Sequence, residues 1–204
     1  MRLFILGASG GIGRQLIDQA IAAGSEVTAF VRSPEKLGPP REHLVVRGGD
    51  PRSVPDLASA LPGHDAVLTT LGPPGPGRTT ILREAARSTV AAMRAAGVRR
   101  LLAVSAAVLF EDMGIIARMM RRTLLRNVAE DSAEMERVIA MSGMDWTIAR
   151  PPRLTNGPLT KRYLVEDGRM PRGKWWVSRA DVAHFLLREL QQDAHVRQVV
   201  GIAR

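Results

Sequence analysis

The sequence predicts a doubly wound α/β fold: a parallel sheet with helices on both faces, built as one domain over residues 1–204. Three observations predict it. Short apolar runs of strand character alternate with stretches of helical periodicity along the whole chain, the pattern of consecutive βαβ units. The first strand breaks into a glycine turn that opens directly into a helix, the context that gives a glycine motif meaning. The 204 residues, 45% of them hydrophobic, suffice for one full α/β core and are too few for two domains of ordinary size. No internal repeat, low-complexity tract or clear linker divides them.

The elements follow in order. Arg2–Leu6 is an apolar run and the first strand. Arg14–Ala23 has helical periodicity and stops at Gly24, a common helix terminator. Glu26–Val31 is the second strand and Leu44–Arg47 the third. Ser53 is placed to cap a short helix that runs to Leu61. Asp65–Leu71 reads as the fourth strand, and Arg78–Ala96 as a long helix closed by Gly97. Arg100–Ser105 is the fifth strand, in an apolar stretch that continues as a loop to Phe110. A helix over Ala129–Met141, closed by Gly143, leads into a sixth strand at Asp145–Ala149. Ser178-Arg179-Ala180-Asp181 resembles a capping box and opens a helix to about Gln191. Gln198–Ile202 is a last short strand.

The turn after the first strand reads Gly7-Ala8-Ser9-Gly10-Gly11-Ile12-Gly13, a G-x-x-G-x-x-G spacing. Gly7 permits the tight turn, Gly10 or Gly11 lets the backbone approach a pyrophosphate, and Gly13 lets the helix pack closely. With the helix N-terminus behind it, the turn is suited to anionic phosphates, and Gly7, Ser9, Gly10, Gly11 and Ile12 are its expected contacts. The fold expected is therefore Rossmann-like. A site that prefers NAD carries an acidic residue near the end of the second strand, about 20 residues after the glycines. This chain has Arg32 there, with Ser33 and Lys36 beside it. A guanidinium suits a 2′-phosphate, so the expected cofactor is NADP(H) rather than NAD(H).

In a sheet of this kind ligands lie beyond the carboxyl ends of the strands. Asp50 after the third strand either bonds the adenine edge or starts the turn before Ser53. Leu71 and Gly72 open a Pro/Gly-rich loop with little side chain to obstruct a ribose or nicotinamide. Pro151 and Pro152 follow the sixth strand on the same side. Arg78 and Arg153 flank the cleft and suit an anionic group of a substrate.

Composition narrows the reading. With no cysteine there is no disulfide, zinc-thiolate site or cysteine nucleophile, which fits a reducing cytoplasm. No metal site is expected. No stretch approaches the roughly 18 apolar residues of a membrane span, and the apolar start Met1–Leu6 is too short for a signal peptide. The net charge is +9, carried almost wholly by arginine, but aromatics are only 4% and the arginines are scattered. That argues against a nucleic-acid groove, which needs stacking surfaces.

Several segments together resemble an atypical short-chain dehydrogenase/reductase. The closer likeness is to the NAD(P)H-binding group that includes biliverdin reductase B, also called flavin reductase, and the NmrA-like proteins. The segments are the glycine turn, Phe30-Val31-Arg32, His64-Asp65-Ala66-Val67, Gly97-Val98-Arg99-Arg100-Leu101, Val104-Ser105-Ala106, Ser142-Gly143-Met144-Asp145-Trp146-Thr147, Arg150-Pro151-Pro152-Arg153-Leu154 and Gly157-Pro158-Leu159-Thr160. The resemblance implies an NAD(P)H-dependent oxidoreductase and places Ser105 where the family has its active-site serine. An unassisted serine is a poor proton source, so its expected role is to orient nicotinamide or substrate; the alternative is a strand-end hydroxyl bonded to its own backbone. Ordinary members use a Tyr-x-x-x-Lys pair. Here the only tyrosine is Tyr163, followed four residues on by Asp167. Epimerase or dehydratase chemistry of the usual kind is thereby disfavoured, whereas flavin-reductase relatives work without the pair.

Met113–Leu125 is amphipathic and rich in methionine, a residue that adapts to irregular apolar ligands. Met113 is thus a candidate substrate contact, and the segments around 106–126 and 150–170 are a candidate lid. Two functions stay open. One is hydride transfer from NADPH to a flat conjugated acceptor such as a flavin, quinone or tetrapyrrole. The other is an NmrA-like sensor that binds NADP(H) without turnover. The expected partner is a small-molecule acceptor, with no nucleic acid or membrane, for a monomer or weak homo-oligomer.

Overall fold

The computed structural model describes residues 1–39, 41–73, 75, 77–111, 119 and 125–204. Ten strands lie among these residues: β1 (Arg2–Leu6), β2 (Glu26–Val31), β3 (Leu44–Gly48), β4 (Ala66–Thr69), β5 (Arg100–Val104), β6 (Asp145–Arg150), β7 (Arg153–Thr155), β8 (Leu164–Asp167), β9 (Trp176–Ser178) and β10 (Gln198–Ala203). Five α-helices accompany them: α1 (Gly11–Ala22), α2 (Val54–Ala60), α3 (Ile81–Ala96), α4 (Arg126–Ala140) and α5 (Arg179–Gln192).

Eight strands form one sheet in the order β3-β2-β1-β4-β5-β6-β10-β8, parallel except for β8, which pairs antiparallel with β10. The order reverses between β1 and β4, whose register runs from Leu3 opposite Ala66 to Leu6 opposite Thr69. Such a switch point is where an open α/β sheet offers a ligand crevice. Both faces are covered, which is why β1 and β2 read as continuous apolar runs. Leu3, Ile5, Val27 and Ala29 pack beneath Leu16 and Ile17 of α1 and Phe185 and Leu186 of α5. Phe4, Leu6, Phe30 and Val67 face the other way, toward Leu57, Leu82, Met93, Met135 and Ile139.

Helix starts differ from the sequence expectation for identifiable reasons. Helix α1 begins at Gly11, three residues before Arg14, because the glycine turn passes straight into helical conformation. Helix α3 begins at Ile81 and leaves Arg78 in the preceding exposed loop. Its cap comes from another helix: Asp131 of α4, 2% exposed, accepts from the N–H of Leu82 (3.0 Å) and of Arg83 (3.2 Å). Helix α4 itself starts at Arg126 rather than Ala129. At α5, Ser178 caps as expected, its Oγ accepting from Asp181 N–H at 2.9 Å. Only half of the capping box forms, because the Asp181 carboxylate is taken up by Thr160 and Lys161.

The sequence reading omits β7, β8 and β9, and it ends β4 and β5 later than the structure does. Strands β7 and β9 pair with each other beside the carboxyl end of β6. No helix among the described residues is long and apolar enough to cross a membrane.

Candidate functional site

The site is built at the switch point. Gly7 leaves β1 with φ +76°, and a Cβ there would lie 2.7 Å from the Thr70 carbonyl carbon. The turn thus abuts the end of β4 with no room for a side chain. Gly10 N–H donates to Gly7 O at 2.9 Å and closes the turn. A Cβ on Gly13 would overlap Ala8, whose Cα would be 2.6 Å away, so α1 sits tightly on the turn. The first N–H groups of any helix lack intrahelical partners. Here Gly10 provides no side-chain cap, and the first turn of α1 carries no acidic residue. An uncapped, positively polarised helix end therefore faces the crevice. Ser9 is half-buried beside it, and Ile12 is buried in the core below.

Arg14 joins this turn to the loop after β2. Its Nε donates to Ser9 O at 3.2 Å and its Nη2 to Lys36 O. Sequence reasoning missed this residue, since an arginine inside a helix gives no sign of bridging two loops. Arg32 is exposed in that second loop, and no carboxylate lies within ion-pair distance of it among the described residues. Its charge does reach Asp50. Hydrogen bonds from the Arg52 side chain and backbone hold the Asp50 carboxyl below its ordinary range, with smaller help from Arg32. Of the two roles left open for Asp50, the structure shows the turn: Oδ1 accepts from Arg52 N–H at 2.9 Å, and Asp50 O accepts from Ser53 N–H.

The opposite half of the crevice is formed by β4, β5 and β6. Leu71 is half-buried, and a Cβ added at Gly72 would meet no atom of the described residues within 4 Å. Ser105 N–H donates to Ala149 O at 2.8 Å and Ala107 N–H to Pro151 O at 3.0 Å, which brings Ser105 and Pro151 together at the ends of β5 and β6. Pro151 is buried and Pro152 half-buried. The Ser105 Oγ is buried with no hydrogen-bond partner among the described residues, so it is not spent on its own backbone. A buried hydroxyl without a partner is costly. Beneath this corner the Arg150 guanidinium grips Glu136 in two hydrogen bonds, 2.9 and 2.5 Å, and lies over the Phe110 ring. Arg78 and Arg153 are both exposed, Arg153 on β7, and neither hydrogen-bonds the Ser105 Oγ. Met113 and most of the methionine-rich segment lie outside the described residues.

The family described as NAD(P)H-binding matches residues 7–193 of this chain. The chain belongs to that NAD(P)H-binding family. Solved structures agree with it. A Rossmann-fold NAD(P)-binding family protein from Shigella flexneri is 27% identical, with TM-score 0.79 over 100% of this chain and 93% of its own. A wide-type short-chain dehydrogenase/reductase from Veillonella parvula, solved in complex with NADP, gives TM-score 0.82 at 21% identity, covering 100% and 94%. A protein named as a candidate NADH-flavin reductase from Streptococcus pneumoniae gives 0.80 at 20%, covering 100% and 99%. The last two likenesses are of fold alone.

The one tyrosine of the chain serves packing. Tyr163 OH is 2.7 Å from His184 Nδ1, and its ring meets Phe185 edge-on. Burial pushes its phenol up to about 12, against an opposing pull from the Arg188 charge. An absorbance titration of tyrosinate is therefore expected to show one midpoint near 12, and a midpoint near the ordinary value of about 10 contradicts this packing. The folded pKa is the higher one. The stability it represents is full below the unfolded value and is lost as pH rises toward 12.

Proposed function

We propose that the protein is an NADPH-dependent oxidoreductase that passes a hydride to a flat conjugated acceptor of flavin, quinone or tetrapyrrole type. The observation that carries this reading is the buried Ser105 Oγ at the end of β5, without a hydrogen-bond partner among the described residues. Two further features fit a dinucleotide: the turn that side chains at Gly7 or Gly13 would fill, and an arginine on the basic loop, Arg32, that makes no ion pair among the described residues. NADPH supplies the hydride when bound.

The protein's part is binding and orientation. Gly7, Ser9, Gly10, Gly11 and Ile12 hold the pyrophosphate, Arg32 the 2′-phosphate, and Asp50 borders the adenosine end. Leu71, Gly72, Pro151 and Pro152 flank the nicotinamide half. Ser105 would donate a hydrogen bond that fixes the nicotinamide amide or an acceptor carbonyl, and Arg78 and Arg153 would border the acceptor. Alignment at near-attack distance then provides most of the rate, and solvent provides the proton that completes reduction.

Purified protein mixed with NADPH and a panel of flavins, quinones and biliverdins tests the proposal through loss of the reduced-nicotinamide absorbance. Acceptor-dependent oxidation is expected, with kcat/KM falling about tenfold or more in Ser105→Ala as orientation is lost. Saturable NADPH binding with no acceptor accelerating oxidation would replace this reading with that of a redox sensor.

A further inference from the structure

Arg179, the first residue of α5, reaches across to the glycine turn. A Cβ built on Gly11 would lie 2.5 Å from Arg179 Cδ and 2.7 Å from its Nε, so the arginine stem runs directly over the Gly11 backbone. Two contacts fix where it starts. Ser178 caps α5, and Gln19 of α1 donates to Ala180 O at 3.0 Å, locking the two helices side by side. Among the described residues the guanidinium has one hydrogen-bond partner, the neutral Asn156 Oδ1 at 2.8 Å. Among the described residues no carboxylate lies within ion-pair distance of it.

That arrangement is electrostatically odd in isolation. A cation is least welcome at a helix N-terminus, where the backbone already presents partial positive charge. The N-terminus of α1 offers no acidic residue to offset it. The chain nevertheless places a guanidinium there, its stem passing over the Gly11 backbone and its end bonded to Asn156. A doubly charged pyrophosphate reverses the balance, because it accepts from the helix N–H groups on one side and from the guanidinium on the other.

We propose that Arg179 is a pyrophosphate-binding residue of the cofactor site, closing over the glycine turn from the opposite end of the chain, with Asn156 holding it in place beforehand. The proposal rests on the cofactor reading above and adds to it a contact common to NADPH and NADH.

Calorimetric titration of the full chain with NADPH, NADH and adenosine 2′-monophosphate tests it, since the last ligand has the 2′-phosphate but no pyrophosphate. Arg179→Met keeps most of the stem and removes the charge. It is expected to weaken NADPH and NADH by the same factor, roughly tenfold or more for a charge-assisted hydrogen bond, and to leave the monophosphate unchanged. Arg179→Lys should recover part of the loss. Unaltered dinucleotide binding in Arg179→Met overturns the proposal. So does a loss of monophosphate binding as large as that of NADPH, which would mark a structural role. If the unmodified protein binds neither dinucleotide, the cofactor reading falls and this proposal falls with it.

Discussion

Arg32→Glu is expected to lower NADPH affinity by roughly two orders of magnitude while leaving NADH affinity unchanged or improved. The wild-type guanidinium offers a fork of donors to a 2′-phosphate, a charge-assisted contact of about 1.5–3 kcal/mol. The carboxylate removes that contact and adds repulsion against the phosphate, so attraction and discrimination change together. Against a bare ribose the same carboxylate can accept hydroxyl hydrogen bonds. Arg32 is exposed and makes no ion pair among the described residues, so the change should leave the fold intact. Dissociation constants for both cofactors, measured on both proteins, decide the matter. An unchanged ratio between them would show that Arg32 does not read the 2′-position.

Glu136→Ala is expected to cost about 3–5 kcal/mol of unfolding free energy, the range for breaking a buried ion pair from one side. Glu136 and Arg150 side chains are 9% and 16% exposed, and their two hydrogen bonds are the arginine's main compensation. Truncating the carboxylate leaves a guanidinium enclosed against Phe110 with its charge unmatched. The double change Glu136→Met with Arg150→Met should recover most of the loss, because an apolar pair of similar volume is often no worse than the ion pair it replaces. Denaturant midpoints of the single and double variants test both statements. A single variant within about 1 kcal/mol of the parent would mean that water already reaches the pair, as it does for surface pairs. Because Arg150 directly precedes Pro151, the same variant should also disturb the corner that holds Ser105.

The parts of the fold legible in the sequence were those whose cause is local. The glycine turn, the Ser53 and Ser178 caps and the apolar runs of β1 and β2 each signal themselves within a few residues, and each is present. Strands β7, β8 and β9 are three or four residues long, too short for alternation to register, and β8 contains both Glu166 and Asp167. They exist because neighbouring backbone is available to pair with, not because of their own composition. The site divides in the same way. The candidate roles of Ser105 and Arg32 were read from position along the chain. The contacts of Arg14 and Arg179 could not be, because they depend on Lys36 and Gly11, which only the folded packing brings alongside. Asp50 was ambiguous in the sequence because one carboxylate can serve a turn or a ligand, and Arg52 beside it fixes the turn.

The cap that Asp131 places on α3 bears on the order in which the molecule assembles. Most helices nucleate with a cap from their own sequence, at almost no cost in loop closure. At α3 the Thr79 Oγ1 accepts locally from Ile81 N–H, but the N–H groups of Leu82 and Arg83 wait for a carboxylate 49 residues downstream of Leu82. Closing so long a segment costs entropy before any bond is returned, so the start of α3 is completed only when α4 docks. The two helices then open and close as one cooperative unit. Amide exchange at Leu82 and Arg83 accordingly reports the docking of α4 rather than the helix–coil balance of α3 alone.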